Sequence, residues 1–65
     1  MTREFIVRGQ KSEAEAIREI RVIASRYIRE VCKKGAVSWT WKIAPEALHG
    51  DDGWRAYGRI EWSRG

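Results

Sequence analysis

The stretch Val37-Ser38-Trp39-Thr40-Trp41-Lys42-Ile43 decides the fold that the sequence predicts. Apolar and polar residues alternate along it, which is the pattern of a β-strand with one buried face. The odd-numbered residues, two of them tryptophans, share one face, and the even-numbered residues share the other. Two neighbouring indoles make an apolar surface that is too large to leave in water. We therefore expect another element of the chain to cover this face.

A helix between two further strands supplies that cover. Residues 4–8 and 54–62 also alternate and are predicted to be the first and last strands. Ser12 begins the helix, because its hydroxyl can accept a hydrogen bond from the backbone N–H of Glu15 and the Glu15 side chain can return it. The helix is expected to run to about residue 34 and to end at Gly35.

The apolar residues of this helix fall within one arc of its surface. That arc is the predicted core face and comprises Ala16, Ile17, Ile20, Ile23, Ala24, Tyr27, Ile28 and Val31. The chain is thus predicted to have an α+β fold of order β-α-β-β. One amphipathic helix packs on a three-stranded antiparallel sheet, with the 54–62 strand in the middle.

The last two strands are predicted to form a hairpin with a long connection. Pro45 should end the second strand, which leaves residues 44–53 as a loop. Opposed residues must share a face, and pairing Trp41 with Ala56 and Trp39 with Gly58 meets this requirement. That register sets each indole over a small residue.

Length and composition bound the class of protein. Residues 1–65 form a single small domain, which is marginally stable unless it is well packed or oligomeric. The one cysteine, Cys32, allows no intrachain disulfide, and we see no signal peptide and no membrane-spanning run. We therefore expect a cytoplasmic protein without a membrane partner. The 37–43 strand, as a sheet edge, predicts a homodimer or larger assembly.

The helix-free face of the predicted sheet carries the main candidate site. Strand alternation places four cations there around one tyrosine: Arg8, Lys42, Arg55, Tyr57 and Arg59. By the predicted register Lys42 lies opposite Arg55, a like-charge pair that an anion would relieve. The cations could bind phosphates and the ring could stack one base. The alternative is an ordinary water-facing side of an antiparallel sheet.

The four tryptophans, Trp39, Trp41, Trp54 and Trp62, are a second candidate, for ligand stacking or an interface. Such clusters are more commonly core. Trp54 and Trp62 lie at strand ends, where rings are expected to be half exposed, and they are the better candidates for anchoring a partner.

The remaining polar groups predict no catalysis. Helix arginines alternate with glutamates, which is typical of a salt-bridged, water-facing surface. His49, Asp51 and Asp52 are explained as turn residues rather than metal ligands, and Cys32 has no paired histidine. We expect a non-enzyme with no cofactor and no metal.

Two resemblances accompany these predictions. Gly9 after the first strand, Ser12 at the helix start and Trp39 or Trp41 in the second strand resemble the dodecins, which are small flavin-binding proteins of β-α-β-β fold. The chain departs from them in its basic charge and in lacking a glutamine on the last strand. The compact, basic β-α-β-β form is also similar to small phage-encoded inhibitors such as anti-CRISPR proteins.

These observations predict a non-catalytic module that engages nucleic acid, or an acidic or nucleic-acid-handling protein, through the helix-free sheet face. The net charge of +4 is compatible with either partner. Two alternatives stay open. The resemblances imply a protein that inhibits by binding another protein, or an oligomeric binder of flat aromatic ligands such as flavin.

Overall fold

Four elements follow one another in the computed structural model, which describes residues 1–64. They are strand β1 (Thr2–Gln10), helix α1 (Glu13–Lys33), strand β2 (Ala36–Gly50) and strand β3 (Gly53–Arg64). Both strand pairs are antiparallel and the sheet order is β1-β3-β2. Helix α1 packs on one face of the sheet. The predicted α+β fold, its element order and the middle position of the last strand are confirmed.

The ends of α1 follow the sequence signals. The Ser12 hydroxyl accepts a hydrogen bond from the Glu15 backbone N–H at 3.1 Å. The Glu15 carboxylate accepts from the backbone N–H of Lys11 at 3.3 Å, one residue before the predicted donor. The chain leaves the helix at Gly35, whose φ of 102° lies in the left-handed region that glycine tolerates.

The core lies between α1 and the sheet. β1, α1 and β3 give it the face that alternation or helical periodicity predicts. β2 does so only in part: Trp41 packs against the core, but Val37 is exposed, and Ile43 lies opposite Arg59 on the helix-free side, because a bulge at Lys42 interrupts the alternation. The buried residues are Phe5, Val7, Ala16, Ile20, Ala24, Val31, Ala56, Ile60 and Trp62, with no buried charged side chain among residues 1–64. The opposite side of the sheet is thus left to polar residues and to water.

Pro45 does not end the second strand, and the predicted loop over residues 44–53 is wrong. Strand β2 continues to Gly50 and joins β3 through a turn at Asp51 and Asp52. Proline is tolerated because β2 is an edge strand and because Ala44 and Pro45 together oppose the single residue Gly58, which makes a β-bulge.

The longer strand changes the predicted register. Trp41 lies opposite Ile60 and Trp39 opposite Trp62, not opposite Ala56 and Gly58. The short turn sets the pairing from the far end of the hairpin, and sequence reasoning that assumed a long loop could not place it. One indole still covers a glycine: a Cβ on Gly58 would lie 2.7 Å from Cζ3 of Trp41. Trp41 therefore reaches diagonally across β3.

Candidate functional site

All five side chains of the predicted basic site come from the helix-free side of the strands. Tyr57 lies in the middle strand, opposite Ile6 of β1 and Glu46 of β2. Arg59 is its neighbour on the same face and donates a hydrogen bond to the Tyr57 hydroxyl at 3.4 Å. Arg8, Lys42 and Arg55 complete the set. The alternation that grouped these residues is therefore reproduced.

Carboxylates neutralise most of this charge. The distance from Lys42 Nζ to a Glu61 carboxylate oxygen is 3.8 Å. The Arg55 Nε–Asp52 distance is 3.6 Å, and Arg59 Nη2 lies 2.5 Å from Glu4. Three of the four cations around Tyr57 are therefore paired with a carboxylate. Each pair is exposed, so each adds little stability and can exchange with water or another anion.

Arg59 is held most firmly. Its hydrogen bond to Glu4, and the nearby Tyr57 hydroxyl, raise the pKa of the guanidinium above its ordinary value. The Arg59 Nε atom is buried and has no hydrogen-bond partner within residues 1–64. Arg59 thus stays charged at every physiological pH, with one donor unused.

The end of the sheet near the hairpin turn brings two arginines together. Arg8 and Gly9 form a bulge opposite Arg55, where the β1 register shifts between Val7 and Gln10. Arg55 lies opposite Leu48 of β2, so the predicted Lys42–Arg55 pair is wrong. Arg8 has no ion pair within the described residues. Both arginines line a shallow depression of about 190 Å³ beside Tyr57.

Two apolar residues that sequence reasoning missed share this depression. Leu48 is 74% exposed and Ile6 is 54% exposed. Leu48 was assigned to the loop, and only the continued alternation of β2 beyond Pro45 could have placed it on this face. The turn end of the sheet is therefore amphipathic rather than purely basic.

The tryptophans do not all behave as predicted. Trp62 is 6% exposed, and its indole Nε1 donates to the Tyr27 hydroxyl at 2.8 Å, so the expected half-exposed ring is wrong there. Trp54 is half-buried and lies against the His49 ring at a centroid distance of 5.0 Å. Trp41 packs edge-on against Phe5. Their side-chain environments make these three rings parts of the packing.

Trp39 is the exposed ring. It keeps 47% of its surface open and lies at the edge of the sheet, on the same side as α1. With Trp41 it forms one wall of a groove of about 410 Å³, which we name the α1–β2 groove. The helix supplies the other wall, and the full lining is Arg21, Ala24, Ser25, Ile28, Arg29, Trp39, Trp41 and Ile60.

The arginines of α1 are not salt-bridged as the glutamate alternation predicted. Within residues 1–64 no carboxylate lies within 4.0 Å of a guanidinium nitrogen of Arg18, Arg21, Arg26 or Arg29. Glu30 pairs with Lys33 instead, and Glu15 caps the helix start. Arg21 and Arg29 line the α1–β2 groove, and all four arginines line the adjoining outer surface of α1.

The other polar groups do not gather into a metal or nucleophile site. No cluster of three metal-ligating side chains occurs in the part of the chain that the structure describes. Cys32 is exposed on α1. The described residues include no helix with the length and apolar character needed to cross a bilayer.

The comparisons with known proteins identify no family. No protein-family model matches the chain, and searches of curated proteins and of solved structures find no match either. The fold and these surfaces are therefore the basis for a functional proposal.

Proposed function

We propose that this chain is a non-catalytic binding module that engages nucleic acid, or the nucleic-acid-facing surface of another protein. The proposed interface is the helix-free sheet face, with Arg8, Lys42, Arg55, Tyr57 and Arg59. The juxtaposition of Arg8 and Arg55 beside Tyr57 supports it most strongly. Arg8 has no carboxylate partner within residues 1–64 and Arg55 has only the exposed Asp52, so a phosphate at this depression would meet one free cation and one exchangeable cation.

The ion pairs on this face set the expected strength of binding. A phosphate that binds Arg55, Lys42 or Arg59 must displace Asp52, Glu61 or Glu4, and exposed pairs of this kind contribute only about 0–1 kcal/mol each. Binding should therefore be possible but weak in sequence preference. It should also weaken steeply with added salt, because counterion release supplies most of its free energy.

The test is an anisotropy titration of the whole chain with labelled single-stranded and double-stranded DNA and RNA at two salt concentrations. The informative variant is Arg8→Glu with Arg55→Glu, which leaves the Arg59–Glu4 pair intact. We expect it to lower the affinity for nucleic acid at least severalfold and to flatten the salt dependence.

A matched control changes two exposed cations elsewhere, Lys11→Glu and Lys34→Glu. Wild-type protein that binds no nucleic acid at low salt would refute the proposed function. Equal losses in the two double variants would show that net charge acts, and that this face is not the interface.

The exposed Ile6 and Leu48 favour a second candidate, in which the same face docks on a protein. Aliphatic side chains beside a tyrosine and two arginines are the composition of a protein–protein interface. This candidate corresponds to a protein that inhibits by binding another protein. Co-precipitation from cell lysate before and after nuclease treatment distinguishes it from direct nucleic-acid binding, since a protein partner would be retained after the nucleic acid is removed.

We also propose that the module acts in the cytoplasm as a homo-oligomer. Its single thiol suits a reducing compartment, and its β2 strand is an open sheet edge. Bulges at Val37 and Lys42 and the one at Pro45 confine backbone pairing to a short regular stretch around Trp39. Light scattering at high micromolar concentration should show a dimer, and a monomer would contradict the proposal.

A further inference from the structure

The α1–β2 groove combines cationic side chains with an exposed aromatic ring, as a binding site for nucleic acid needs. The residues that supply them are different from those of the helix-free sheet face. The helix wall of the groove presents Arg21 and Arg29, and its strand wall presents the half-exposed Trp39. Between them lie the small side chains of Ser25 and Ala24, so the space above the floor is open.

The arginines of the groove are available to an external anion. No carboxylate is among the residues that line it, and neither guanidinium has an ion pair within residues 1–64. A phosphate entering here would displace water rather than an acidic side chain. Forked guanidinium donors match the oxygens of a phosphate, and such charge-assisted hydrogen bonds are the strong kind.

Trp39 supplies a flat surface at the mouth of the same groove. Its partner in the opposite strand, Trp62, is buried and donates to the Tyr27 hydroxyl, so the strand position that carries Trp39 is firmly anchored. Every nucleobase has a π-face, and stacking of this kind tolerates any base. A base inside a duplex offers no free face, which favours a single strand.

The length of the arginine row indicates a polymer rather than a free nucleotide. Arg21 and Arg29 also line the adjoining outer surface of α1, where the row of arginines continues to Arg18. Eleven helical residues at about 1.5 Å each span roughly 16 Å. That distance is longer than one nucleotide, so a chain of phosphates uses the row and a single phosphate does not.

We propose that the α1–β2 groove binds a short segment of single-stranded nucleic acid, with a base stacked on Trp39 and phosphates held by Arg21 and Arg29. The inference rests on the proposed function in that the chain must bind nucleic acid. It adds a second binding surface, specifies a single-stranded ligand and names the residues that contact it. The groove would bind nucleic acid independently of the helix-free sheet face.

The experiment is a set of anisotropy titrations of the full chain with a short labelled oligothymidylate, the corresponding duplex, and thymidine monophosphate as competitor. Arg21→Gln with Arg29→Gln is compared with Lys11→Gln plus Lys34→Gln, which removes the same charge from exposed positions outside the groove. Loss of two phosphate contacts should reduce the magnitude of the log–log salt slope by about 1.4. The control pair should leave the slope nearly unchanged.

Trp39→Ala tests the stacked base, with Val37→Ala, which truncates another exposed apolar side chain of β2, as its control. We expect Trp39→Ala to weaken oligothymidylate binding about tenfold and to leave duplex binding unchanged. Trp39→Phe, which keeps a smaller ring, should lie between. Circular dichroism of each variant shows whether the fold is retained, and the phenylalanine variant preserves the test if the alanine variant unfolds.

The outcomes separate the two proposals. Wild-type protein that binds no oligonucleotide refutes the proposed function and this inference with it. Binding that is retained in both the Arg21/Arg29 and Trp39 variants overturns the groove alone and leaves the sheet face as the interface. Preference for duplex, or thymidine monophosphate competing as well as the oligonucleotide, also overturns the inference.

Discussion

The helix-free sheet face and the α1–β2 groove are both cationic, yet they differ in where their acids lie. On the sheet face Lys42, Arg55 and Arg59 each have a carboxylate partner. In the groove Arg21 and Arg29 have none within the described chain. The surface with more cations therefore offers fewer free ones, and the count of basic residues on a face is a poor measure of its affinity for anions.

The difference has a simple structural origin. In a sheet, neighbours come from other strands, so the register decides whether a cation meets an acid: Glu4 reaches Arg59 because β1 pairs with β3 at that position. On a helix the neighbours are three and four residues away and depend on which flank each occupies. In α1, Glu15 caps the helix start and Glu30 pairs with Lys33, so the arginines are left without a carboxylate partner within the described residues.

Removal of the shared core should abolish both surfaces together and has the largest expected effect. Ile60 is fully buried, forms part of the groove floor, and lies beside Arg59 in β3. Ile60→Ala should lower the free energy of unfolding by about 2–5 kcal/mol, since it leaves a cavity under α1. Urea denaturation measures this. A loss below that of Ile60→Val, which removes only one methyl, would contradict the described packing.

A substitution at Gly58 should disturb Trp41, which lines the α1–β2 groove, and lower the free energy of unfolding. An added Cβ would meet the Trp41 ring at 2.7 Å, so Gly58→Ala should cost about 1–3 kcal/mol through overpacking. The double variant with Trp41→Phe removes the clashing ring atom and should recover part of that loss. Additive losses in this double-mutant cycle would show that the two residues do not touch.

Loss of the hydrogen bond between Trp62 and Tyr27 should lower the free energy of unfolding by a smaller amount. Tyr27→Phe leaves the Trp62 indole N–H without its acceptor, and a loss of about 1 kcal/mol is expected. Thermal unfolding followed at the near-ultraviolet tryptophan signal provides the measurement. An unchanged midpoint together with an unchanged signal would mean that the bond is not formed in solution.

Removal of the carboxylates that pair with the sheet-face cations makes that face more like the groove. It has the smallest expected effect, a modest rise in affinity for nucleic acid. Glu4→Gln with Glu61→Gln leaves Arg59 and Lys42 without carboxylates, as Arg21 and Arg29 already are. Oligonucleotide affinity at low salt should rise about threefold, in keeping with the weakness of exposed pairs. Glu13→Gln with Glu19→Gln, two exposed carboxylates with no ion pair within residues 1–64, is the charge-matched control. An equal or larger rise in the control would show that only net charge matters.

The sequence was sufficient for the order of the elements and for the core faces of β1, α1 and β3, because alternation and helical periodicity are local. Ile20 is buried as predicted, and the Ser12 cap forms. It was not sufficient for the face of β2, where the bulge at Lys42 places Ile43 opposite Arg59 on the helix-free side. It was not sufficient for the hairpin register, because Pro45 looked like a strand end and the bulge that accommodates it depends on Gly58 in another strand. Ion pairs depend on that register, so the paired state of Lys42 and Arg55 could not be predicted. The prediction that Trp62 is half exposed failed because β3 continues to Arg64, so Trp62 does not lie at the end of the strand. The exposed indole is that of Trp39, at the edge of the sheet.

The four indole N–H groups allow the most direct test of the contrast between the two surfaces. In a nitrogen–proton correlation spectrum, Trp39→Phe identifies the Trp39 signal by its loss. On titration with oligothymidylate, the account predicts the largest shift at Trp39 and almost none at Trp62, whose N–H is bonded to Tyr27. A spectrum in which Trp39 stays fixed while backbone amides around Arg8 and Tyr57 move would contradict the account, because it would place the strand on the sheet face instead of in the groove.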